Sequence, residues 1–248
     1  MLSTIFNHRS IRKYKNTAIP ETDLQEILEA GIRASNTGNM QVYSIIVTRD
    51  EEMKKKLAPT HFNQPMVTQA PVLLTFCADI NRFNKWCISR NAEPGYDNFL
   101  WFTNAAIDAI LAAQNCCIAA ESKGLGICYL GTTTYTADKI IEILNLPKGV
   151  IPITTVVMGY PDQNPALTDR LPIEAVVHYE TYKEYSTEDI NRLYADKEAL
   201  ESTKQLLIEN KKDTLAQIFT DNRYKKADNI HFSNVFFKVL KDQGFFNQ

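Results

Sequence analysis

The 248-residue sequence predicts an α+β fold, and three observations carry that expectation. Pro20 to Ser35 places Leu24, Ile27, Leu28 and Ile32 on one face at helical spacing, with charged residues opposite. Four short runs rich in β-branched or apolar residues, Gln41–Thr48, Val72–Ala78, Ile127–Leu130 and Pro152–Tyr160, read as strands lying between helices. The third observation is the apolar stretch from Asn98 to Lys123, long enough to span a bilayer. Asn104, Asp108, Gln114, Asn115 and Glu121 interrupt it at intervals that an isolated span disfavours, so it reads as the central buried helix.

Composition bounds the rest. A 248-residue chain with 44% hydrophobic residues can bury a sizeable core. Lys and Arg number 27 against 29 Asp and Glu, a formal charge of −2, which argues against a dedicated nucleic-acid binder. The five cysteines (Cys77, Cys87, Cys116, Cys117 and Cys128) follow no zinc spacing, and no leader opens the chain; reduced thiols in a cytoplasm are expected.

Near the N-terminus, His8 to Tyr14 gathers Arg9, Arg12 and Lys13 with the imidazole of His8 and the hydroxyl of Ser10, while Ile11 and Tyr14 can bury and fix the backbone. Arginine offers a planar fork that grips two phosphate oxygens, which singles out Arg9 and Arg12 as anion anchors. Charge alone favours a solvated basic arm, since short basic runs are usually surface. After the first helix, Ser35–Asn39 is a polar turn, Asp50–Leu57 a short charged helix, and His61–Met66 a loop in which His61 is expected at the surface. Asp79–Tyr96 shows no clear period.

On the long helix, Cys116 and Cys117 are expected as small apolar fillers. Gly124 and Gly126 end that helix, and Gly131 follows the strand Ile127–Leu130, where its missing side chain lets a ligand approach the backbone. No Gly-x-Gly-x-x-Gly joins a strand to a helix, so a Rossmann site is excluded. Thr136–Leu146 reads as a helix capped by Thr136 with Ile140, Ile141 and Leu144 as its stripe. Beyond about residue 172 the sequence becomes charged and mostly helical, with candidates at Thr187–Ile208, Asp213–Phe219 and Phe232–Leu240.

Four stretches together resemble the nitroreductase family of FMN-dependent oxidoreductases: His8–Tyr14 with its helix and the turn to Gln41, Gly124–Gly131, Met158–Pro161, and Asn164–Pro165 with Arg170–Pro172. The resemblance covers about residues 5–185 and, more loosely, the tail, which is similar to that of the larger NADPH-linked nitroreductases and flavin reductases. It implies a mixed central sheet flanked by helices, a homodimer, a core domain at 1–172 and a helical extension at 173–248 that wraps the partner and covers the site. It also implies FMN, held by His8, Arg9, Ser10 and Arg12, by Ser35 and Gln41 beside the ring, by the amide of Gln64, and by the backbone around Tyr129, Leu130 and Gly131. The family's second phosphate grip survives as Arg170, but the position of its lysine is Thr168. Asp79–Tyr96 corresponds to the family's variable flap.

The activity implied is hydride transfer from NADPH or NADH through flavin N5 to nitroaromatic, quinone or flavin acceptors in a ping-pong cycle, with no side chain as nucleophile or general base. Lys211 and Lys212 correspond to a stretch where NADPH-linked relatives hold the 2′-phosphate; a solvated helix end is the competing reading. Two other functions fit the same residues, namely a different flavin chemistry such as dehalogenation or ring oxidation, and a non-enzymatic flavin- or phosphate-binding module.

Overall fold

The computed structural model describes residues 2–247. A short helix α1 (Leu2–Phe6) precedes α2 (Glu21–Ile32), which starts at Pro20 with Glu21 and Asp23 in its first turn, where acids favour the helix dipole. Strand β1 (Tyr43–Thr48), helices α3 (Glu51–Leu57) and α4 (Met66–Gln69) and strand β2 (Val72–Asp79) follow. Next come α5 (Asn81–Ile88), the long α6 (Phe99–Ser122), β3 (Gly126–Leu130), α7 (Ala137–Leu144) and β4 (Val150–Gly159). The remaining helices are α8 (Thr187–Ala199), α9 (Glu201–Asn210), the single turn α10 (Leu215–Gln217) leading into a π-helical turn at Ile218–Arg223, and α11 (Lys226–Asp242).

The strands form one sheet in the order β1-β2-β4-β3, and every pairing is antiparallel. This corrects the expected mixed sheet. The parallel component shrinks to an isolated bridge between Ser10 and Ile127, because the N-terminal segment leaves β3 at once and makes its next bridge, antiparallel, from Tyr14 to Pro161. All eight residues of β2 are buried, as a central strand covered on both faces requires. Phe76 at its middle is fully buried, and truncating such a side chain to alanine costs about 3–5 kcal/mol.

Helix α6 buries Ala105, Ala109, Ala112, Ala113, Cys116, Cys117 and Ala120. These small side chains let α2 approach: a Cβ on Gly31 would lie 2.4 Å from the Cys116 sulfur. The Asn115 amide then donates to the Ala30 carbonyl across the same contact, at 3.2 Å. All five cysteines are buried and unbridged, and burial pushes the thiols of Cys116 and Cys117 up to about 12, which suits fillers rather than nucleophiles.

Several boundaries shift from the sequence reading. Asp79–Tyr96 contains α5, whose start is held by the Asp79 carboxylate accepting from the Arg82 amide. The stretch 187–208 is broken at Leu200 (φ −56°, ψ 138°) into α8 and α9, and Phe232–Leu240 is the latter part of α11. Thr136 stands at the start of α7, but its hydroxyl donates to the Thr60 carbonyl instead of capping the helix.

The chain divides into two compact units, Met1–Ala166 with Phe232–Gln248, and Leu167–His231. In the first, Val239, Leu240 and Phe245 join Val42, Ile80, Phe102 and Ile151 in one apolar cluster, so the C-terminal residues complete this unit's core. In the second, Leu193, Leu215 and Ile218 are buried, and ion pairs such as Arg192–Glu174 tie exposed segments together. Among the described residues no helix is long and apolar enough to cross a membrane.

Candidate functional site

The basic N-terminal segment is fixed by its backbone. The Ile11 amide donates to the Ile127 carbonyl (2.9 Å), the Lys15 amide to Tyr160, and the Asp162 amide back to Lys13. The Tyr14 hydroxyl donates to the Ile11 carbonyl at 2.5 Å, and burial raises the phenol's pKa well above its ordinary value. Gly126 makes the fit possible, since a Cβ there would sit 2.5 Å from Ile11. Ile11 and Tyr14 are buried in the core, and Arg12 and Lys13 between them are left exposed.

Arg12 and Lys13 line a cavity of about 750 Å³ together with Tyr14, Gln64, Pro65, Met66, Gln69, Asp162 and Gln163. Two of the residues expected at the site, Arg12 and Gln64, are therefore brought together from segments fifty residues apart. Arg9 faces a smaller cavity of about 230 Å³ beside Glu121, Gly126 and Asn164, and its Nε is buried with no hydrogen-bond partner among the described residues. His8 does not point into open space: its Nδ1 lies 2.6 Å from Oε1 of Glu121, a residue the sequence reading noted only as a break in an apolar helix.

Gln64 follows a strained turn. Phe62 and Asn63 both adopt left-handed backbone (φ 54° and 53°), which costs on the order of 1 kcal/mol each and persists only where neighbours enforce it. His61 precedes that turn, its carbonyl accepting from the backbone amide of Gln64 at 3.1 Å. Expected at the surface, it is instead 1% exposed, with Nδ1 2.9 Å from the Thr132 hydroxyl, and burial lowers its pKa to about 4. The error has a physical source, since the flanking Leu57, Ala58 and Met66 enter one buried cluster with Leu130, a partner remote in sequence, and Thr60 and His61 between them are buried as well.

At the end of β3, Leu130 is buried and its carbonyl accepts from the Thr133 hydroxyl at 3.0 Å, while the Tyr129 hydroxyl reaches the Gln114 side chain at 3.3 Å. Gly131 is exposed, and a Cβ built on it meets no atom within 4 Å. Ser35 and Gln41 flank a turn in which Gly38, Asn39 and Gln41 all have positive φ. Asp108 of α6 holds this turn by accepting from the Thr37 amide at 3.0 Å. Neither Ser35 nor Gln41 lines either of the two cavities.

The remaining candidates lie in the second unit. Arg170 is exposed and donates to the carbonyls of Thr168 (3.2 Å) and Asp169 (2.9 Å). Lys211 ends α9 in left-handed backbone, and Lys212 pairs with Asp221 at 2.7 Å, holding that carboxyl below its ordinary range. Among the described residues no three His, Cys, Asp or Glu side chains converge as a metal site would require.

Residues 5–160 match a family model described as Nitroreductase family. An NADPH-flavin oxidoreductase of Vibrio harveyi is 38% identical over 191 residues, covering 76% of this chain and 77% of its own. An FMN reductase (NADPH) of Bacillus subtilis strain 168 is 37% identical over 183 residues, 73% of this chain and 74% of its own. A crystal structure of a Bacteroides fragilis NCTC 9343 protein superposes with a TM-score of 0.97 at 55% identity, covering 99% of this chain and 100% of the other.

Proposed function

This chain belongs to the nitroreductase family, and from that premise we propose that it is an NAD(P)H-dependent flavin oxidoreductase that holds FMN beside Arg12 and Gln64. The carrying observation is the shared cavity. Its volume of about 750 Å³ suits a cofactor, Arg12 and Lys13 bring two cations, and Gln64 brings one donor and one acceptor suited to a ring edge that has both. The buried, unpartnered Nε of Arg9 is a second donor awaiting an acceptor, since such groups cost about 1–3 kcal/mol when left unsatisfied. Asp162 in the lining disfavours a naked anion and favours a ligand whose charge is confined to one end.

When bound, FMN would supply the hydride and electron chemistry that links NAD(P)H to an acceptor. The protein's part is positional. Arg9, Ser10 and Arg12 ride on a backbone stapled to Ile127, so cationic groups are placed without a mobile arm. Gln64 is fixed by the turn before it, and Gly131 leaves the end of β3 open to a ring. His8, Ser35, Gln41, Tyr129 and Leu130 complete the proposed FMN set, with Arg170 as its second phosphate grip. Free flavin is the acceptor the names of the relatives favour, with quinones and nitroaromatics in the same electron-accepting class. Lys211 and Lys212 are proposed to face the 2′-phosphate of NADPH.

The proposal extends to a homodimer in a reducing cytoplasm. Helix α6 exposes Leu100, Ile107, Ile110 and Leu111 along one side, an apolar stripe suited to a second copy. The deciding experiment is the absorption spectrum of the purified protein, followed by NADPH oxidation with and without added FMN. Flavin bands and flavin-dependent oxidation are expected; a colourless protein that ignores added FMN overturns the reading.

A further inference from the structure

We infer that His61 is a positioning residue that clasps the Gln64 loop to the Thr132 turn, so that Gln64 and Gly131 are presented to the cofactor as one preformed unit. The inference rests on the FMN reading for what the unit binds, but not for the clasp itself. Two bridges between side chains and the facing segment make the clasp. His61 Nδ1 meets the Thr132 hydroxyl at 2.9 Å, and four residues further on the Thr136 hydroxyl donates to the Thr60 carbonyl at 2.7 Å. The Phe62 and Tyr135 rings lie alongside, with centroids 6.5 Å apart.

The clasp is placed to act on Gln64. The His61 carbonyl accepts from the backbone N–H of Gln64 at 3.1 Å, and the chain between them passes through the two left-handed residues Phe62 and Asn63. Free of its neighbours, that turn relaxes toward ordinary backbone angles, and the Gln64 amide loses its direction. His61 is almost fully buried and stays neutral at physiological pH, so it bonds the hydroxyl without burying a charge. A cofactor that must order this loop itself binds more weakly by that cost.

The test pairs FMN titration with amide hydrogen exchange on the full chain. His61→Ala and Thr132→Val should each raise the FMN dissociation constant about tenfold, and the double variant should be no worse than either single one. His61→Asn, whose side-chain amide places a polar atom near that of Nδ1, and Thr132→Ser should recover most of the affinity. Exchange should speed up over residues 61–66 and 131–135 together in either single variant, including the half-buried Thr132→Val, which leaves the core intact. Parent-like affinity in both single variants, additive losses in the double, or faster exchange confined to the altered segment overturns the clasp. Should the parent bind no FMN, the functional reading falls, while the exchange pattern still decides the clasp.

Discussion

Arg9 and Arg12 ride on a backbone pinned to β3 and to the stretch just after β4 by hydrogen bonds from Ile11, Lys15 and Asp162, and neither guanidinium has an acidic side chain committed to it in an ion pair among those described. Arg170 and Lys212, in the other unit, are partly engaged already: one guanidinium nitrogen of Arg170 donates to two carbonyls of its own turn, and Lys212 pairs with Asp221, so a ligand there competes with existing contacts. Both sets read as cationic motifs in sequence. What distinguishes a ligand grip from surface charge is a fixed backbone with an unspent donor, and Arg9 Nε meets that description best. Breaking each set should have different consequences.

The largest effect concerns how the first unit's site is fixed. The His61 imidazole titrates near 6.5 in an unfolded chain, and burial lowers this to about 4 in the fold. Between those values the unfolded chain holds a proton that the folded one refuses. Stability is therefore full above pH 6.5 and falls as pH drops toward 4, by on the order of 3 kcal/mol. Urea denaturation at pH 6.5 and pH 4 measures it, and His61→Asn should remove this increment of pH dependence. The exposed carboxylates of the second unit, Asp189 and Asp221, are also held low by their partners, but screening leaves their contribution small.

Next in size are the arginines. Arg9→Ala and Arg12→Ala should each weaken FMN binding by about 1.5–3 kcal/mol, roughly tenfold or more, as each removes a charge-assisted contact. Equilibrium titration followed by flavin fluorescence measures this. Gly126→Ala separates the side chains from the backbone that carries them: the added Cβ collides with Ile11 and should cost about 1–3 kcal/mol of stability while both arginines remain. Unchanged FMN affinity in all three variants would return the N-terminal segment to the status of a surface arm.

How much of this was legible follows the same physics. Helix α2, the strands and α6 declare themselves because their burial is periodic or continuous, as in the wholly buried β2. The role of Ile11 and Tyr14 as backbone anchors was also readable, since two apolar residues amid charges have few other uses. What was not readable depends on partners distant in sequence. His61 is interior with its Nδ1 on the hydroxyl of Thr132, 71 residues away, Glu121 matters because His8 folds against it, and the break at Leu200 lies within one unbroken polar-apolar pattern. Short-range pattern carries no trace of these.

A smaller effect is expected from the lysines proposed to face NADPH. Lys211→Ala with Lys212→Ala should lower kcat/KM for NADPH about fivefold and leave NADH unchanged, because exposed charge contacts contribute little each. Asp221→Asn sharpens the point: it frees Lys212 from its ion pair and should raise NADPH efficiency at low salt. Equal changes with both nucleotides would leave these lysines as helix-end charges, which the left-handed cap at Lys211 also accommodates.

The smallest effect tests the departure at residue 168. Thr168 is exposed and its carbonyl is already engaged by Arg170, so the backbone there is held by the very residue proposed to grip the phosphate. Replacing the hydroxyl with an ammonium adds a charge without disturbing that bond, and Asp169 is unable to neutralise it fully because Lys197 already occupies the carboxylate at 2.6 Å. Thr168→Lys should therefore tighten FMN binding, about twofold, since a mobile exposed lysine gains little after solvent screening and side-chain entropy. The gain should shrink as ionic strength rises toward 1 M, where the screening length falls to about 3 Å. FMN titrations at low and high salt on the variant and the parent make the comparison; equal affinity at low salt would mean that residue 168 does not face the phosphate, and that Arg170 serves its own turn alone.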